Sequence, residues 1–590
     1  MTITTEAGQT FGRCAPLTAC VRAAFALGAL HAAHATASTI TVANCKDHGS
    51  GSLRTALSVA HSGDTVSLAS LPACTITLTT AALPVTVGSL KVLGPTSNTV
   101  AINAAQNYRV FDHTGTGTLT LDHLVIANGK YRNANASGGC VRSSGSVSLH
   151  NTSISACTAL ADLGKSWGGA IWSAGTVTLI NSTISGNLAE APNGSYGGGV
   201  FGKNVNIQNT TINDNSAQFP YGGSPNDNSK FQGGGVFVGS ASANIVDSVI
   251  DHNFTTGVFT DGAGIFASTS LYVASSSVTN NVAFSSGRAE GGGIFAGTAL
   301  TLKHSIVSDN QAGANSGAYG GGLRAGSVVM EYSTIHGNYL GSGPNGFSGL
   351  FNGGGMFVYQ GATQITRSTI DGNHASTGGG VFGFHSNITI TNSTISGNFA
   401  DGSGATVSAT GAGIAMQATA GTAATLRVSN STVAYNVISS AFGTYGGAGI
   451  RAYGTAIINS TIIANNFKDG AANDFSCECG LDASPTISGD HNLVVAVDPA
   501  GSAPNYGFAI NLYDPVGLVP LAYHGGETRT HALDPASAAI GYGTNALGAL
   551  WDQRGLGYPR NNPDTLTPDV GAYERQPFDD EIFYDGFGVQ

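Results

Sequence analysis

A short phrase recurs along this chain at a nearly constant spacing, and it constrains the fold more than any other feature. The phrase is a strand rich in Ser and Thr that ends in a turn Asn, as in the STISGN of residues 182–187 and 393–398. Successive turn positions are mostly 28 to 30 residues apart and fall at Asn128, Cys157 in the same slot, Asn187, Asn215, Asn253, Asn281, Asn310, Asn338, Asn373, Asn398, Asn436 and Asn465. A period of this length indicates one supersecondary unit stacked on copies of itself.

A second phrase keeps the same period and marks another turn of the unit. It consists of three glycines, Val or Ile, and Phe, at residues 197–201, 233–237, 291–295 and 378–382. Between the two phrases lie alternating runs rich in Val, Ile and Thr, such as residues 176–180, and this alternation predicts strands. A propeller blade has a longer period of about 40–50 residues. The sequence therefore predicts an all-β parallel β-helix solenoid of about twelve coils.

Both phrases have a structural explanation. In a parallel β-helix, equivalent residues of neighbouring coils lie about 4.8 Å apart and form columns along the axis. An Asn tolerates the left-handed turn conformation, and its amide can donate to one coil and accept from the other, as in stacked Asn ladders. We therefore expect a ladder of Asn187, Asn215, Asn253, Asn281, Asn310, Asn338, Asn373, Asn398, Asn436 and Asn465, with glycines where the turns need positive φ.

The two ends of the chain differ from the repeat. Arg13 and Arg22 precede an apolar run at 23–30, and the Ala-Thr-Ala of 35–37 is typical of a cleavage site, so residues 1–37 are expected to be an export signal. Solenoids need caps, and residues 49–57 followed by 62–66 predict a short helix and then the first strand. The predicted organisation is a signal peptide (1–37), an N-terminal cap with the first strands (38–110), the β-helix (111–500), a C-terminal capping region (501–575) and a tail (576–590).

Charge limits the partners. Removal of residues 1–37 takes away Arg13, Arg22 and Glu6, so the formal net charge moves from −11 to −12. An acidic and sparsely charged protein is unsuited to nucleic acid, and an anionic polysaccharide would need a bridging cation. We expect no cofactor, and no later segment has the roughly 18 apolar residues of a membrane-spanning helix.

Six cysteines follow the signal, and an even number in an exported chain favours disulfides. Cys140 and Cys157 lie within one coil, and Cys45 and Cys74 bracket the N-terminal region. Cys477 and Cys479 are separated by one residue, so a strained disulfide, free thiols or metal binding all remain open for them. A zinc site there is disfavoured because no second Cys pair or His-x-His lies nearby.

Several segments resemble a known group of proteins. Residues 45–63, with Gly-Ser-Leu-Arg at 51–54, and residues 113–121 are similar to the N-terminal cap and first coil of bacterial secreted right-handed β-helix proteins. The two repeated phrases resemble the same group, which includes polymorphic outer-membrane-protein-like repeats. The resemblance implies a right-handed coil and an exported protein.

The C-terminal region carries a more specific resemblance. Residues 525–533 (GGETRTHAL), 537–540 (SAAI), 552–555 (DQRG) and 569–574 (DVGAYE) are similar to the choice-of-anchor Q domain that follows such helices. The chain departs from that pattern at Gly541, where the family usually has Asp. The resemblance implies attachment to a cell surface, and residues 581–587 are similar to short Asp-Gly-Phe tails of exported Gram-negative proteins.

Two pairs of residues are candidates for acid-base chemistry. The slot before the ladder Asn holds Asp214 and His252 in successive coils, and a register-matched stack would bring them to roughly 5 Å, close enough for a charge-assisted hydrogen bond. His336 and Asp371 form a similar pair two slots before the Asn. Neither column contains two adjacent carboxylates at glycosidase spacing, so solvated turns are the competing interpretation.

Aromatic residues in the longer connections suggest binding. Phe219, Tyr221 and Phe231 fall in one such connection, and long loops on a rigid scaffold often carry function. Stacking on sugars or partner proteins and simple packing over the helix are both open. The sequence therefore favours an exported or cell-surface protein that adheres to glycans or surfaces, with a polysaccharide lyase or glycoside hydrolase and a passive envelope component as alternatives.

Overall fold

The computed structural model describes residues 37–220, 228–342, 350–402, 409–419, 424–439, 446–478, 487–497, 516–561 and 567–580. These residues form 62 strands in three sheets, one α-helix at Leu53–Val59 and one 3-10 helix at Pro577–Asp580. Apart from residue 37, the expected signal peptide lies outside the described residues, as do Tyr221 and Cys479.

The three sheets run the length of the β-helix. Sheet 1 has 28 strands: Thr39–Thr41, Thr65–Ser67, Leu83–Val85, Leu90–Leu93, Phe111–His113, Thr118–Asp122, Val141–Ser143, Ser146–His150, Ile171–Ser173, Thr176–Ile180, Val200–Gly202, Asn204–Gln208, Val236–Val238, Ala243–Val246, Ile265–Ala267, Leu271–Ala274, Ile294–Lys303, Leu323–Glu331, Met356–Tyr359, Ala362–Thr366, Val381–Phe384, Asn387–Thr391, Ile414–Gln417, Thr425–Ser429, Ile450–Tyr453, Thr455–Asn459, Phe475–Glu478 and Ile487–Ser488. Sheet 2 has 15 strands: Cys74–Thr77, Val100–Asn103, Val125–Ala127, Ser153–Ser155, Thr183–Ser185, Thr211–Asn213, Val249–Asp251, Ser277–Thr279, Ile306–Ser308, Thr334–His336, Thr369–Asp371, Thr394–Ser396, Thr432–Ala434, Ile462–Ala464 and Leu493–Val494. Sheet 3 has 19 strands: Lys130–Asn133, Ala136–Ser137, Thr158–Ala161, Ser166–Trp167, Leu188–Glu190, Ser195–Tyr196, Ser216–Gln218, Lys230–Gln232, Phe254–Asp261, Val282–Glu290, Gln311–Ala314, Gly317–Tyr319, Tyr339–Ser342, Leu350–Asn352, His374–Ala375, Phe399–Asp401, Val437–Ser439, Phe467–Lys468 and Ala471–Ala472.

Each full coil visits the sheets in the order 1, 2, 3. Thr183–Ser185 in sheet 2 pairs in parallel with Thr211–Asn213 of the next coil, and the pairing repeats along the stack. The predicted parallel β-helix is confirmed, with about 14 turns rather than about twelve. The Asn phrase undercounts because the first coils lack it.

Alternation along the strands builds the core. In Thr176–Ile180 the inward residues Val177 and Leu179 are fully buried, while their neighbours are partly exposed. Ile184 adds the corresponding residue from sheet 2. The inward columns therefore form one apolar core that continues from coil to coil.

The N-terminal cap contains the predicted helix. Ser52 caps it through its hydroxyl, which accepts from the Thr55 N–H. Arg54 donates to the buried Asp47, with Nη2 at 2.6 Å from Oδ1. One detail of the prediction is wrong: the strand Thr39–Thr41 precedes the helix and pairs with Thr65–Ser67.

The Asn ladder is present and buried. Each Nδ2 donates to the Oδ1 of the next coil's Asn at 2.8–3.0 Å, from Asn187 through to Asn466. The prediction of Asn465 was wrong by one residue, because Asn465 takes the preceding left-handed turn position at φ 59° and Asn466 enters the ladder. Asp474 ends the ladder by accepting from the N–H and Nδ2 of Asn466 at 2.9 and 2.8 Å.

The other end of the ladder is a disulfide. Cys140 and Cys157 are bonded, and the Cys157 N–H donates to Asn187 Oδ1 at 2.9 Å. In later coils the third glycine of the turn faces the ladder Asn, as Gly235 faces Asn253, so the disulfide replaces a Gly–Asn contact. Cys45–Cys74 forms a second disulfide, and Cys477 is also disulfide-bonded.

The described C-terminal residues, 516–561 and 567–580, cover part of sheet 2. Gln553 Oε1 accepts from Thr394 Oγ1 at 2.6 Å, and the Ala572 N–H donates to Thr432 Oγ1 at 3.0 Å. Thr394 and Thr432 point out of the sheet and are nevertheless 0% and 1% exposed, whereas Val249 on an uncovered coil is 40% exposed. We call these C-terminal residues the lateral cover. Within the described residues there is no helix with the length and apolar character needed to cross a membrane.

Candidate functional site

The structure does not join Asp214 to His252 in the expected hydrogen bond. Their coils are in register, because Asn213 pairs with Asp251. His252 Nδ1 is instead 2.6 Å from Asp251 Oδ2, and Asp214 accepts from the Asn213 side chain at 2.6 Å. Each side chain prefers its chain neighbour because both residues sit in left-handed turns, at φ 56° and 51°. The expected hydrogen bond between Asp214 and His252 is therefore wrong, while their role in acid-base chemistry stays a prediction.

Asp251 is the hydrogen-bond partner of several polar side chains on this surface. It accepts from Thr279 Oγ1 at 2.6 Å and from Asn280 Nδ2 at 2.9 Å, in addition to His252. Burial alone would raise the pKa of Asp251, but these hydrogen bonds lower it. Asp251 is therefore stabilised in its ionised form by the hydrogen bonds of the surrounding turns.

The aromatic prediction is corrected in part. Phe231 is fully buried and meets Phe219 edge-on with centroids 6.1 Å apart, so Phe231 packs against the scaffold and offers no ring face to a ligand. Phe219 is half-buried.

His336 and Asp371 do meet, with His336 Nδ1 2.9 Å from Asp371 Oδ2. Arg529 of the lateral cover donates to both oxygens of Asp371, at 2.8 and 2.6 Å. The hydrogen bond to Asp371 raises the pKa of His336. Asp371 is 4% exposed, so this cluster fastens the lateral cover to sheet 2.

A surface that sequence reasoning missed lies at the glycine turns that join sheet 3 to sheet 1. The first glycine of the turn has positive φ, as at Gly233 (φ 65°), and a Cβ on Gly235 would meet the Gly264 carbonyl at 2.7 Å. The positive φ explains the glycine at the first position, whereas the second position also takes alanine, as at Ala263. Outward side chains on either side of the turn face each other, and we call this surface the aromatic corner.

One row of the aromatic corner follows the glycines. Its residues are register partners in successive coils: Arg142, Trp172, Phe201, Phe237, Phe266, Phe295, Arg324, Phe357 and Phe382. The rings of Phe201, Phe237, Phe266 and Phe295 stack with centroids 4.8–4.9 Å apart. Arg324 continues the row where a ring is missing, with its guanidinium 4.7 Å from the Phe295 centroid.

The second row precedes the glycines and consists of Trp167, Tyr196, Gln232, Asp261, Glu290, Tyr319 and Asn352. The rows touch across the turn. Tyr196 meets Phe237 edge-on at 5.4 Å, and Tyr319 meets Phe357 at 5.1 Å. The corner thus combines ring surfaces with hydroxyl, carboxamide and carboxyl groups.

The centre of the second row brings two carboxyl groups together. Asp261 and Glu290 are register partners, and each is 7% exposed. Gln232 Nε2 donates to Asp261 at 2.6 Å, while Glu290 lies between Arg288 and Arg324 at 3.0 and 3.1 Å. Burial and the nearby Glu290 raise the pKa of Asp261 to about 7. Asp261 therefore holds a proton to much higher pH than an exposed aspartate does, and it lies beside a glutamate that contacts two guanidinium groups.

The exposed parts of the aromatic corner lie towards its two ends. Tyr359 follows Phe357 by two residues, so it points the same way, and it stacks on Phe384 with centroids 5.6 Å apart. Tyr359 is 39% exposed, compared with 7–9% for Phe237 and Phe266 in the middle. At the other end, Trp167, Trp172 and Tyr196 are half-buried.

The signal for this site was present in the sequence. The residue before each Gly-Gly-Gly or Gly-Ala-Gly triplet forms a column, in which Asp261 and Glu290 are one period apart. Sequence reasoning followed only the columns beside the ladder Asn and so overlooked it. Within the described ranges, no group of three or more His, Cys, Asp or Glu residues could hold a metal ion. Comparison with protein-family models, characterised proteins and solved structures yields no match.

Proposed function

We propose that this protein is exported and binds an extended, uncharged glycan along the aromatic corner. The observation that carries the proposal is the continuity of the two rows. From Trp172 to Phe382 the first row crosses seven coil steps, or roughly 34 Å at the spacing of paired strands. Binding sites combine apolar and aromatic walls with a few placed polar groups, and a sugar ring offers both an apolar face and hydroxyl edges.

Electrostatics favour an uncharged chain. Arg324 lies 3.1 Å from Glu290, and Arg142 lies 3.2 Å from Asp112, so both guanidinium groups already contact a carboxylate. The formal net charge of the whole chain is −11, which also disfavours a uronic acid. Export is supported by the disulfides, which persist in oxidising compartments, and by the signal-like residues 1–37.

The resemblance to choice-of-anchor Q domains supports a surface location. The motif residues Thr528, Gln553 and Arg554 are buried in the lateral cover. Arg554 Nη2 is 2.8 Å from Asp552 Oδ2, and its guanidinium lies 3.8 Å from the Tyr573 ring centroid. In this proposal the motif holds the cover on the β-helix, while attachment to the cell surface depends on the tail.

The test is binding of the chain without its predicted signal, residues 38–590, to insoluble cellulose and chitin and to soluble neutral and acidic polysaccharides. The double variant Tyr359→Ala/Phe384→Ala removes one exposed and one half-buried ring. Tyr272→Ala is the matched control because Tyr272 is 38% exposed elsewhere on sheet 1. Two rings contribute about 1.4 kcal/mol or more, so affinity for a neutral chain should fall at least about tenfold in the double variant. Equal affinity of the double variant and the control would remove the corner from consideration.

A second candidate function is glycoside hydrolysis, favoured by the adjacent carboxyl groups. Asp261 would protonate the leaving oxygen and Glu290 would act as nucleophile or base, as in two-carboxylate glycosidases. Binding ranks first because rings towards the ends of the corner are accessible, with Tyr359 39% exposed, whereas both carboxyl groups are 7% exposed.

The two functions separate in a reducing-end assay. Hydrolysis predicts turnover that Asp261→Asn abolishes and that Asp214→Asn, an exposed acid of another column, leaves unchanged. Binding without new reducing ends would restrict the aromatic corner to recognition.

A further inference from the structure

A cavity of about 270 Å³ opens near the N-terminal end of sheet 2, on a side of the coil different from the aromatic corner. Its lining is Pro95, Thr96, Asn98, Thr99, His123, Leu124, Val125, Asn151, Thr152, Ser153, Asn181 and Thr183. All these residues come from four successive coils, at the turn where sheet 1 passes into sheet 2.

An irregularity in the stack creates the cavity. Six residues, 94–99, connect Leu90–Leu93 to Val100–Asn103, whereas the next coils cross the same turn with two residues, such as His123 and Leu124. The longer connection forms one wall, and the turns at His123, Asn151 and Asn181 form the floor. These three turn residues all have positive φ, at 55°, 49° and 50°, so their side chains line up in one column.

The lining is rich in groups that both donate and accept hydrogen bonds. Asn151 and Asn181 are exposed and joined by a 3.4 Å hydrogen bond from Asn181 Nδ2 to Asn151 Oδ1. The hydroxyls of Thr96, Thr99, Ser153 and Thr183 add to them. A hydroxyl group of a ligand can be both donor and acceptor, so it matches carboxamides and hydroxyls.

The lining also excludes other ligand classes. It contains no Lys, Arg, Asp or Glu and no Phe, Tyr or Trp. His123 is the one titratable residue of the lining, and its Nδ1 lies 2.6 Å from Asp122, which Lys91 also contacts at 2.8 Å. An anion would find no free cation among these residues, and a flat apolar ligand would find no ring.

We infer that this cavity binds one residue of an uncharged sugar, independently of the aromatic corner. Its volume lies near the lower end of small-ligand sites, at roughly 300 Å³, which suits a single ring. Such a site would take either a free monosaccharide or the end of a glycan chain, since both present the same hydroxyls.

Saturation-transfer NMR tests the inference. The protein used is the Tyr359→Ala/Phe384→Ala double variant, so that contacts at the aromatic corner contribute least to the signal. The probes are glucose, galactose, mannose and N-acetylglucosamine, followed by cellotetraose and chitotetraose. The expected result is saturation transfer from the protein to at least one neutral sugar. Transfer confined to a terminal residue of a tetrasaccharide identifies a site for chain ends, and transfer to the monosaccharides identifies a site for free sugars.

Glycine substitutions provide the matched variants. Asn151→Gly and Asn181→Gly delete the carboxamides in left-handed turns that glycine adopts readily, and each should weaken binding about fivefold for a lost hydrogen bond. Ser275→Gly introduces the same change at φ 48° in an exposed turn away from the cavity and should have no effect. Two results overturn the inference: no transfer to any neutral probe, or equal binding by all three variants.

Discussion

Replacing Asn310 by alanine isolates the contribution of one rung of the Asn ladder. Asn310 is fully buried and makes four hydrogen bonds through its side chain. Nδ2 donates to Asn338 Oδ1 at 3.0 Å and to the Val278 carbonyl at 2.9 Å, and Oδ1 accepts from the N–H and Nδ2 of Asn281 at 3.0 and 2.9 Å. Alanine removes all four.

The loss falls mainly on one backbone group, the Asn281 N–H. Asn338 Oδ1 keeps the Asn310 N–H at 3.0 Å, and Asn281 Nδ2 keeps the Ile250 and Thr279 carbonyls at 3.0 and 2.8 Å. The Asn281 N–H is left buried without the Asn310 acceptor, at about 1–3 kcal/mol. Counting all four lost hydrogen bonds at about 1 kcal/mol each, the free energy of unfolding should fall by about 4 kcal/mol.

Urea unfolding followed by fluorescence measures the loss, and hydrogen exchange should localise it to the Asn281 amide. Asn209→Gly is the matched control, because Asn209 is an exposed turn Asn at φ 46° with one side-chain hydrogen bond to Asn181. The control should change stability by no more than about 0.5 kcal/mol. If Asn310→Ala and Asn209→Gly destabilise equally, the ladder is not what holds the coils together.

Three further predictions concern the ends of the stack and the lateral cover. Removing the disulfide with Cys140→Ala/Cys157→Ala should cost about 3 kcal/mol for a loop of this length, measured by thermal unfolding against the oxidised parent; equal stability of the variant and the oxidised parent would contradict this. Burial would raise the pKa of Asp47, but the hydrogen bonds from Thr79 and Arg54 outweigh it and lower this pKa from 3.8 to about 2. The contribution of ionised Asp47 to the free energy of unfolding, about 2 kcal/mol, should therefore be complete above pH 4 and lost as the pH falls towards 2. A stability difference between the parent and Asp47→Asn that does not shrink over this range contradicts the assignment. Arg529→Ala leaves Asp371 buried with only His336 beside it, so limited proteolysis should release the lateral cover faster. Arg529→Lys should restore part of the protection. Equal cleavage of the parent and both variants would show that the ion pair does not hold the cover.

The errors of the sequence analysis have a common physical origin. Residues 465 and 466 are both Asn, and Asn suits either position of the turn. The sequence pattern alone therefore could not decide which of the two enters the ladder. The register emerges only when a neighbouring coil supplies Asn436 as the donor. The same holds for Asp214 and His252: the repeat placed them in neighbouring coils, but left-handed backbone geometry directs each towards its own chain neighbour.

Some contacts of the candidate site follow from the repeat, and others do not. Asp261 and Glu290 are one repeat apart, so their proximity followed from the period once the correct column was chosen. The contact of Arg529 with Asp371 spans 158 residues of sequence, and no repeat relates them. The cavity beside Asn151 depends on a single longer connection, whose course the sequence did not specify.

By itself, the sequence determined the architecture of this protein. A period of about 29 residues, with strand alternation and Asn and Gly turns, is compatible with a stacked parallel β-helix. In such a stack, each coil can make its backbone hydrogen bonds only by pairing with the next coil. Tertiary structure decided which outward side chains face each other across a turn, where the lateral cover lies and where a cavity remains. These features depend on contacts outside the repeat, where side-chain direction and the path of irregular chain segments, rather than the period, set the distances.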